Sequence, residues 1–171
     1  MAPSGRSNRE ATNISATEWA ITTNSPAETV ALGERLGRLL APGDVLALTG
    51  DLGAGKTCLT KGIALGLGLS DARAVRSPTF VLISEYRGRL TLYHVDAYRL
   101  AGAGDLDALG SGEFMNAGGV TVVEWADRVE AALPGERLCV ECAHSGETQR
   151  TIRIIARGKR YEDIVRGLVP A

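Results

Sequence analysis

The chain has 171 residues, of which 44% are apolar and 23% charged, with 19 Lys+Arg against 20 Asp+Glu for a net charge of -1. That length suits one domain burying ~70% of its unfolded surface, so folding requires neither a disulfide lattice nor a structural metal. The balance excludes wholesale disorder and a basic nucleic-acid-coating module. No run approaches the ~20 apolar residues of a membrane span, so no membrane association is expected.

Small and polar residues fill the start, with no apolar core of a secretory signal. They predict a flexible tail over 1–17, followed by a single domain over 18–171. Only Cys58, Cys139 and Cys142 are present. An odd, low count does not fit a secreted disulfide scaffold, and the expected compartment is the cytoplasm. Cys139 and Cys142 form a C-x-x-C inside an alternating stretch. On a strand, residues three apart face opposite ways, so these thiols read as core packing rather than a redox or zinc pair.

The first clear element opens at Ser25-Pro26-Ala27-Glu28. Ser as cap, Pro at the first helical position and Glu three residues after the cap make a capping box. Leu32, Leu36, Leu39 and Leu40 supply one apolar face, and Pro42-Gly43 ends the helix. Val45 to Leu48 reads as a buried strand, followed by a glycine-rich turn and a helix from Lys56 to about Leu65. Phe80 to Tyr86 and Leu90 to Asp96, joined by Arg87-Gly88-Arg89, predict an antiparallel hairpin. Gly102 to Gly119 is loop-rich, with short helical pieces around Leu106 and Phe114. Val120 to Trp125 is a strand and Ala126 to Leu133 a short helix stopped by Pro134. Strands over Leu138 to Cys142 and Thr151 to Ala156, then a helix over Tyr161 to Leu168, complete the pattern. Such alternation argues for α/β, and the hairpin makes the sheet mixed. Strand order does not follow from these signals.

Gly50-Asp51-Leu52-Gly53-Ala54-Gly55-Lys56-Thr57 fits G-x-x-x-x-G-K-S/T, the P-loop. Its glycines permit the turns that aim successive N–H groups into an anion cradle, and the following helix adds its positive end. Lys56 reaches β- and γ-phosphates, and the Thr57 hydroxyl can bind Mg²⁺. Glycine is common here, 21 of 171 residues, but Lys56 is one of only three lysines, and the strand-loop-helix context is the required one. Asp96 and Glu124 each end an apolar strand, where site residues of such sheets sit. The hydroxyls of Ser77-Pro78-Thr79 lie on a loop suited to sensing a γ-phosphate. His94 reads as a structural histidine, and Trp125 packs on the core or lines the site.

Four ordered segments resemble the TsaE (YjeE) family of bacterial ATPases: the P-loop, Ser77-Pro78-Thr79-Phe80, His94-Val95-Asp96-Ala97-Tyr98-Arg99-Leu100 and Val123-Glu124-Trp125. The likeness runs from about Ser25 to about Ala156. It implies a three-layer P-loop NTPase fold and an ATP-binding, Mg²⁺-dependent hydrolase with ADP as product. It also implies a role in threonylcarbamoyladenosine modification at position 37 of tRNAs reading codons that begin with A. The implied partner is the TsaB–TsaD heterodimer, with tRNA reached through that pair. Carried over by residue, Gly53, Ala54, Gly55, Lys56, Thr57 and Cys58 bind nucleotide and Thr57 and Glu124 hold the metal. Asp96, with Lys56, serves hydrolysis, and Ser77, Pro78 and Thr79 form the switch loop. Thr29 and His144 approach the base. Cys58 stands where the family usually has Ser or Thr, and Ala97 replaces a usual leucine. Two alternatives share the P-loop: a small-molecule kinase, against which stands the lack of an Arg-rich lid insertion, and a nucleotide-dependent interaction module with negligible turnover.

Overall fold

The computed structural model describes residues 17–170. The expected tail therefore lies outside the described residues except for Thr17, whose carbonyl accepts a hydrogen bond from the Ala156 amide at 2.7 Å. Seven strands form one sheet: β1 (Glu18–Thr23), β2 (Val45–Thr49), β3 (Ile83–Arg87), β4 (Thr91–Asp96), β5 (Val120–Glu124), β6 (Arg137–His144) and β7 (Arg150–Arg157), in the order β1-β7-β6-β2-β5-β4-β3. The central strands β6, β2, β5 and β4 are parallel, while β3 is antiparallel to β4 and β7 and β1 extend the other side antiparallel. The sheet is thus mixed, as the hairpin predicts, and β1 is a strand that pattern reading did not find.

Side chains alternate across the sheet, so each strand feeds two cores. Leu46, Leu48, Val120, Val122, Leu138 and Val140 pack beneath α1 (Pro26–Leu39), α2 (Lys56–Gly66) and α5 (Lys159–Leu168). Val45, Ala47, Val95 and Val123 pack the opposite face, under α3 (Ala103–Ala108), α4 (Ser111–Met115) and the 3₁₀ turns Ala126–Ala132. The result is a three-layer α/β molecule.

The cap of α1 forms as the residues dictate: Ser25 Oγ accepts from the Glu28 amide at 3.1 Å. Glu28 reaches one residue further than expected, taking the Asn24 amide at 2.7 Å. α1 and α2 then pack through facing glycines. A Cβ on Gly62 would stand 2.0 Å from the Val30 carbonyl oxygen, and one on Gly66 2.3 Å from that of Glu34; Gly33 and Gly37 answer from α1. Small residues spaced four apart let the two backbones touch, which seats α2, and the loop before it, against the sheet.

The first strand of the hairpin is shorter than Phe80 to Tyr86. It begins at Ile83, opposite Val95, although the Asp96 amide still donates to the Leu82 carbonyl at 2.9 Å. The preceding residues turn instead: the Leu82 amide donates to the Pro78 carbonyl at 2.6 Å, and Leu82 has φ of 67°. Trp125 is likewise not strand; it takes φ 57°, ψ 40° and starts the 3₁₀ turns, which kink at Val129. Cys139 and Cys142 are both free, with Cys142 in the helix-side core and Cys139 packed on the other face.

Candidate nucleotide site

The carboxyl ends of β2, β5 and β4 lie side by side, and each delivers one part of a cleft. From β2 comes the loop starting at Gly50. Its φ is 140°, and a Cβ at this position would stand 2.2 Å from the Cys142 carbonyl oxygen, so only glycine fits. Gly53 and Gly55 have φ of 76° and 105°, and Gly55 is the cap residue of α2. From β5 comes Glu124, and from β4 Asp96, which are register partners on neighbouring parallel strands. Both acids are buried, and both lie on the sheet face covered by α2, as their alternation with Val122 and Leu92 requires.

The polar groups form three hydrogen-bonded clusters, around Glu124, Asp96 and Lys56. The Thr57 hydroxyl donates to Glu124 Oε1 at 3.1 Å, and Oε2 lies 3.4 Å away. His94 Nε2 donates to the same Oε1 at 2.8 Å. Asp96 Oδ2 accepts from the Ser77 hydroxyl at 2.6 Å and the Thr79 hydroxyl at 2.9 Å, while Oδ1 accepts from the Tyr98 amide at 2.9 Å. Lys56 donates its Nζ to the Gly50 carbonyl and, at 3.0 Å, to that of Asp51. Its ammonium also sits 4.0 Å from the centroid of the Trp125 ring. Burial holds the Lys56 amine below its ordinary value, with Glu124 opposing the shift. Burial likewise pushes the Cys142 thiol up to about 12, so it stays protonated.

These parts enclose a cleft of about 360 Å³ lined by, among others, Gly53, Gly55, Lys56, Thr57 and Cys58, with Ser77, Thr79, Asp96, Glu124 and Trp125 facing them. The volume is that of a small-molecule site. Ala54 is buried inside the loop and Pro78 beneath the switch segment. Thr29 is placed behind the loop: its hydroxyl shares a 2.7 Å hydrogen bond with that of Thr23, and it is not among the cleft-lining residues. His144 lies on the loop's outer side, with Nε2 donating to the Leu52 carbonyl at 3.3 Å.

Two neighbours were not anticipated. Arg150, on β7, donates Nε to the Gly53 carbonyl at 3.2 Å and packs its stem against Gly55. His94 is wholly buried and bonded to Glu124. The H-x-D spacing that puts His94 and Asp96 on one strand face was a readable signal; the approach of Arg150 was not, because it depends on how the β6–β7 hairpin folds back.

A family model for threonylcarbamoyl adenosine biosynthesis protein TsaE matches residues 23–152. The chain is 47% identical over 141 residues to the tRNA threonylcarbamoyladenosine biosynthesis protein TsaE of Bacillus subtilis, covering 82% of this chain and 87% of that one. It is 43% identical over 136 residues to the protein of the same name from Treponema pallidum, covering 80% and 92%. Among solved structures it is similar to Bacillus subtilis YdiB, with a TM-score of 0.77, 41% identity, and coverage of 88% and 93%.

Proposed function

The chain belongs to the TsaE family, and from that premise we propose that it serves tRNA threonylcarbamoyladenosine biosynthesis as a Mg²⁺-dependent ATPase acting on the TsaB–TsaD pair. The observation that carries this reading is the convergence, in one cleft, of the P-loop and α2 start with two carboxylates on adjacent strand ends. Phosphoryl transfer needs positioning and charge neutralisation more than covalent chemistry, and these are the groups that supply both.

In this reading the β- and γ-phosphates of ATP lie over the amides of Gly53 to Cys58, at the positive end of α2. Lys56 exchanges its carbonyl partners for phosphate oxygens. Asp96 orients the attacking water, whose oxygen bonds to the γ-phosphorus as the bond to the bridging oxygen of ADP breaks. Thr57 and Glu124 would hold Mg²⁺. A hydroxyl and one carboxylate are hard oxygen donors, the set Mg²⁺ accepts when phosphates and waters complete its shell. Among the described residues no cluster of three or more His, Cys, Asp or Glu is placed to cage a metal. Bound there, Mg²⁺ would supply charge neutralisation to the phosphates.

Turnover by the isolated chain is slow in this reading. No arginine is among the described residues that line the cleft, and Arg99 is stacked 5.5 Å from the exposed Phe80 ring. An arginine supplied or ordered by a partner is worth ~10³–10⁵ in rate in other P-loop systems. Single-turnover phosphate release, measured alone and with TsaB–TsaD and tRNA, is the test. Stimulation by the pair is expected. Turnover near ~10 s⁻¹ without any response to the pair would refute the partner role. Phosphoryl transfer to a small acceptor would instead make the protein a kinase, and nucleotide binding with no release in either condition an interaction module.

A further inference from the structure

We propose that His94 is a positioning residue for Glu124: its ring fixes the carboxylate in the orientation in which that group and Thr57 take the nucleotide-bound cation. This rests on the Mg²⁺ reading above. His94 is fully buried on β4, two residues before Asp96, and Nε2 stands 2.8 Å from Glu124 Oε1. Ionised carboxylate only accepts, so Nε2 carries the proton and donates. The same Oε1 takes the Thr57 hydroxyl at 3.1 Å, so one oxygen is held from two sides while Oε2 has only the 3.4 Å approach of Thr57.

The other ring nitrogen, Nδ1, is buried and has no hydrogen-bond partner among the described residues. Buried polar atoms are paired in most native structures, and each exception asks for an explanation. Packing does not supply one, because a phenyl or isobutyl group would fill the space without an orphaned nitrogen. The arrangement is accounted for if the Nε2–Glu124 bond is what the ring is there to make. Outer partners of metal-holding carboxylates act in this way, setting ligand orientation without touching the ion.

The test is calorimetric binding of ADP to the full chain across a MgCl₂ titration, and again in EDTA, with thermal melts of every variant. His94→Asn removes the donor that reaches Glu124. It is expected to raise the half-saturating Mg²⁺ concentration ~10–100-fold while ADP affinity in EDTA is unchanged. His94→Gln places an amide nitrogen near the position of Nε2 and is expected to restore the wild-type Mg²⁺ dependence. Glu124→Gln reports on the underlying reading. If it shifts the Mg²⁺ dependence and His94→Asn does not, the positioning role is overturned and the Mg²⁺ reading stands. If neither shifts, both are overturned. Equal loss of ADP affinity with and without Mg²⁺ in His94→Asn makes the ring a packing element and overturns the proposal. Should His94→Asn not fold, His94→Phe, which also lacks the donor, carries the comparison; unfolding of both overturns it.

Discussion

The Lys56 ammonium is buried, rests on two loop carbonyls and faces the Trp125 ring. Burial lowers its pKa, so the folded chain holds this charge at a cost. A depressed lysine contributes stability that is fully present only above its ordinary value of 10.5 and is lost as pH falls through the lowered one. On the proposed reading, anionic phosphate is what relieves that cost. Lys56→Met is accordingly expected to melt at the wild-type temperature or above without ligand, yet to lose the shift that MgADP produces. Melting curves at pH 7 with and without MgADP check both halves, and a retained ligand shift would remove Lys56 from the site. At a second residue, Asp96→Ala is expected to keep MgADP binding while phosphate release falls, since all three hydrogen bonds of its carboxylate come from the segment 77–98 and none from the loop. Binding and single-turnover release, measured on the same sample, separate these effects. At this scale the sequence was informative for Lys56, Thr57, Asp96 and Glu124, whose place in the cleft follows from motif spacing and strand ends. It was silent on Arg150, whose contact with Gly53 is made only across a hairpin.

Between elements, the α1–α2 contact determines where the loop sits. Gly→Ala in an open helix position gains about 0.8–1 kcal/mol from propensity, so the sign of such a change reports what surrounds it. Gly104 in α3 has nothing within 4 Å of where a Cβ would stand, whereas Gly62 has a carbonyl oxygen at 2.0 Å. Gly104→Ala is expected to be neutral or stabilising. Gly62→Ala is expected to lose roughly 1–3 kcal/mol or more from forced separation of the helices, and to weaken nucleotide binding because α2 carries Thr57. Urea unfolding of the two variants decides this, and equal stabilities would contradict the close packing. The far end of α1 is held differently: Arg89 donates to the Gly37 carbonyl and Arg160 to that of Leu39, both at 2.8 Å. Cap, proline and leucine spacing announced α1 in the sequence, and the apolar runs announced β2 and β5. The run Phe80-Val81-Leu82 misled, because Leu82 enters the left-handed region and the chain turns back onto the Pro78 carbonyl. β1 escaped notice because only Trp19, Ala20 and Ile21 break its polar surroundings, and its strand character comes from β7.

As a whole, the sheet places its parallel core in the middle and brings the functional groups to the carboxyl ends of three adjacent strands, the usual location of sites in open α/β sheets. Because the cleft joins loop, α2, β4 and β5, ligand binding couples to the global stability of the domain. On the proposed reading, MgADP at ~100 times its Kd is expected to add about 2.7 kcal/mol by linkage, or roughly 5–11 °C in Tm for a chain of this size, which melting curves with and without MgADP check. Among the described residues no helix is long and apolar enough to cross a membrane. The strand order has one further consequence, in time rather than in energy. Among the described residues β1 pairs with β7 alone, and Glu18 meets Arg153 across a separation of 135 residues. During synthesis at ~5–20 residues per second, the first strand waits roughly 7–27 s for its partner to be made. Until then Trp19 has no β7 beside it, and that edge of the sheet is completed only after β7 has been made.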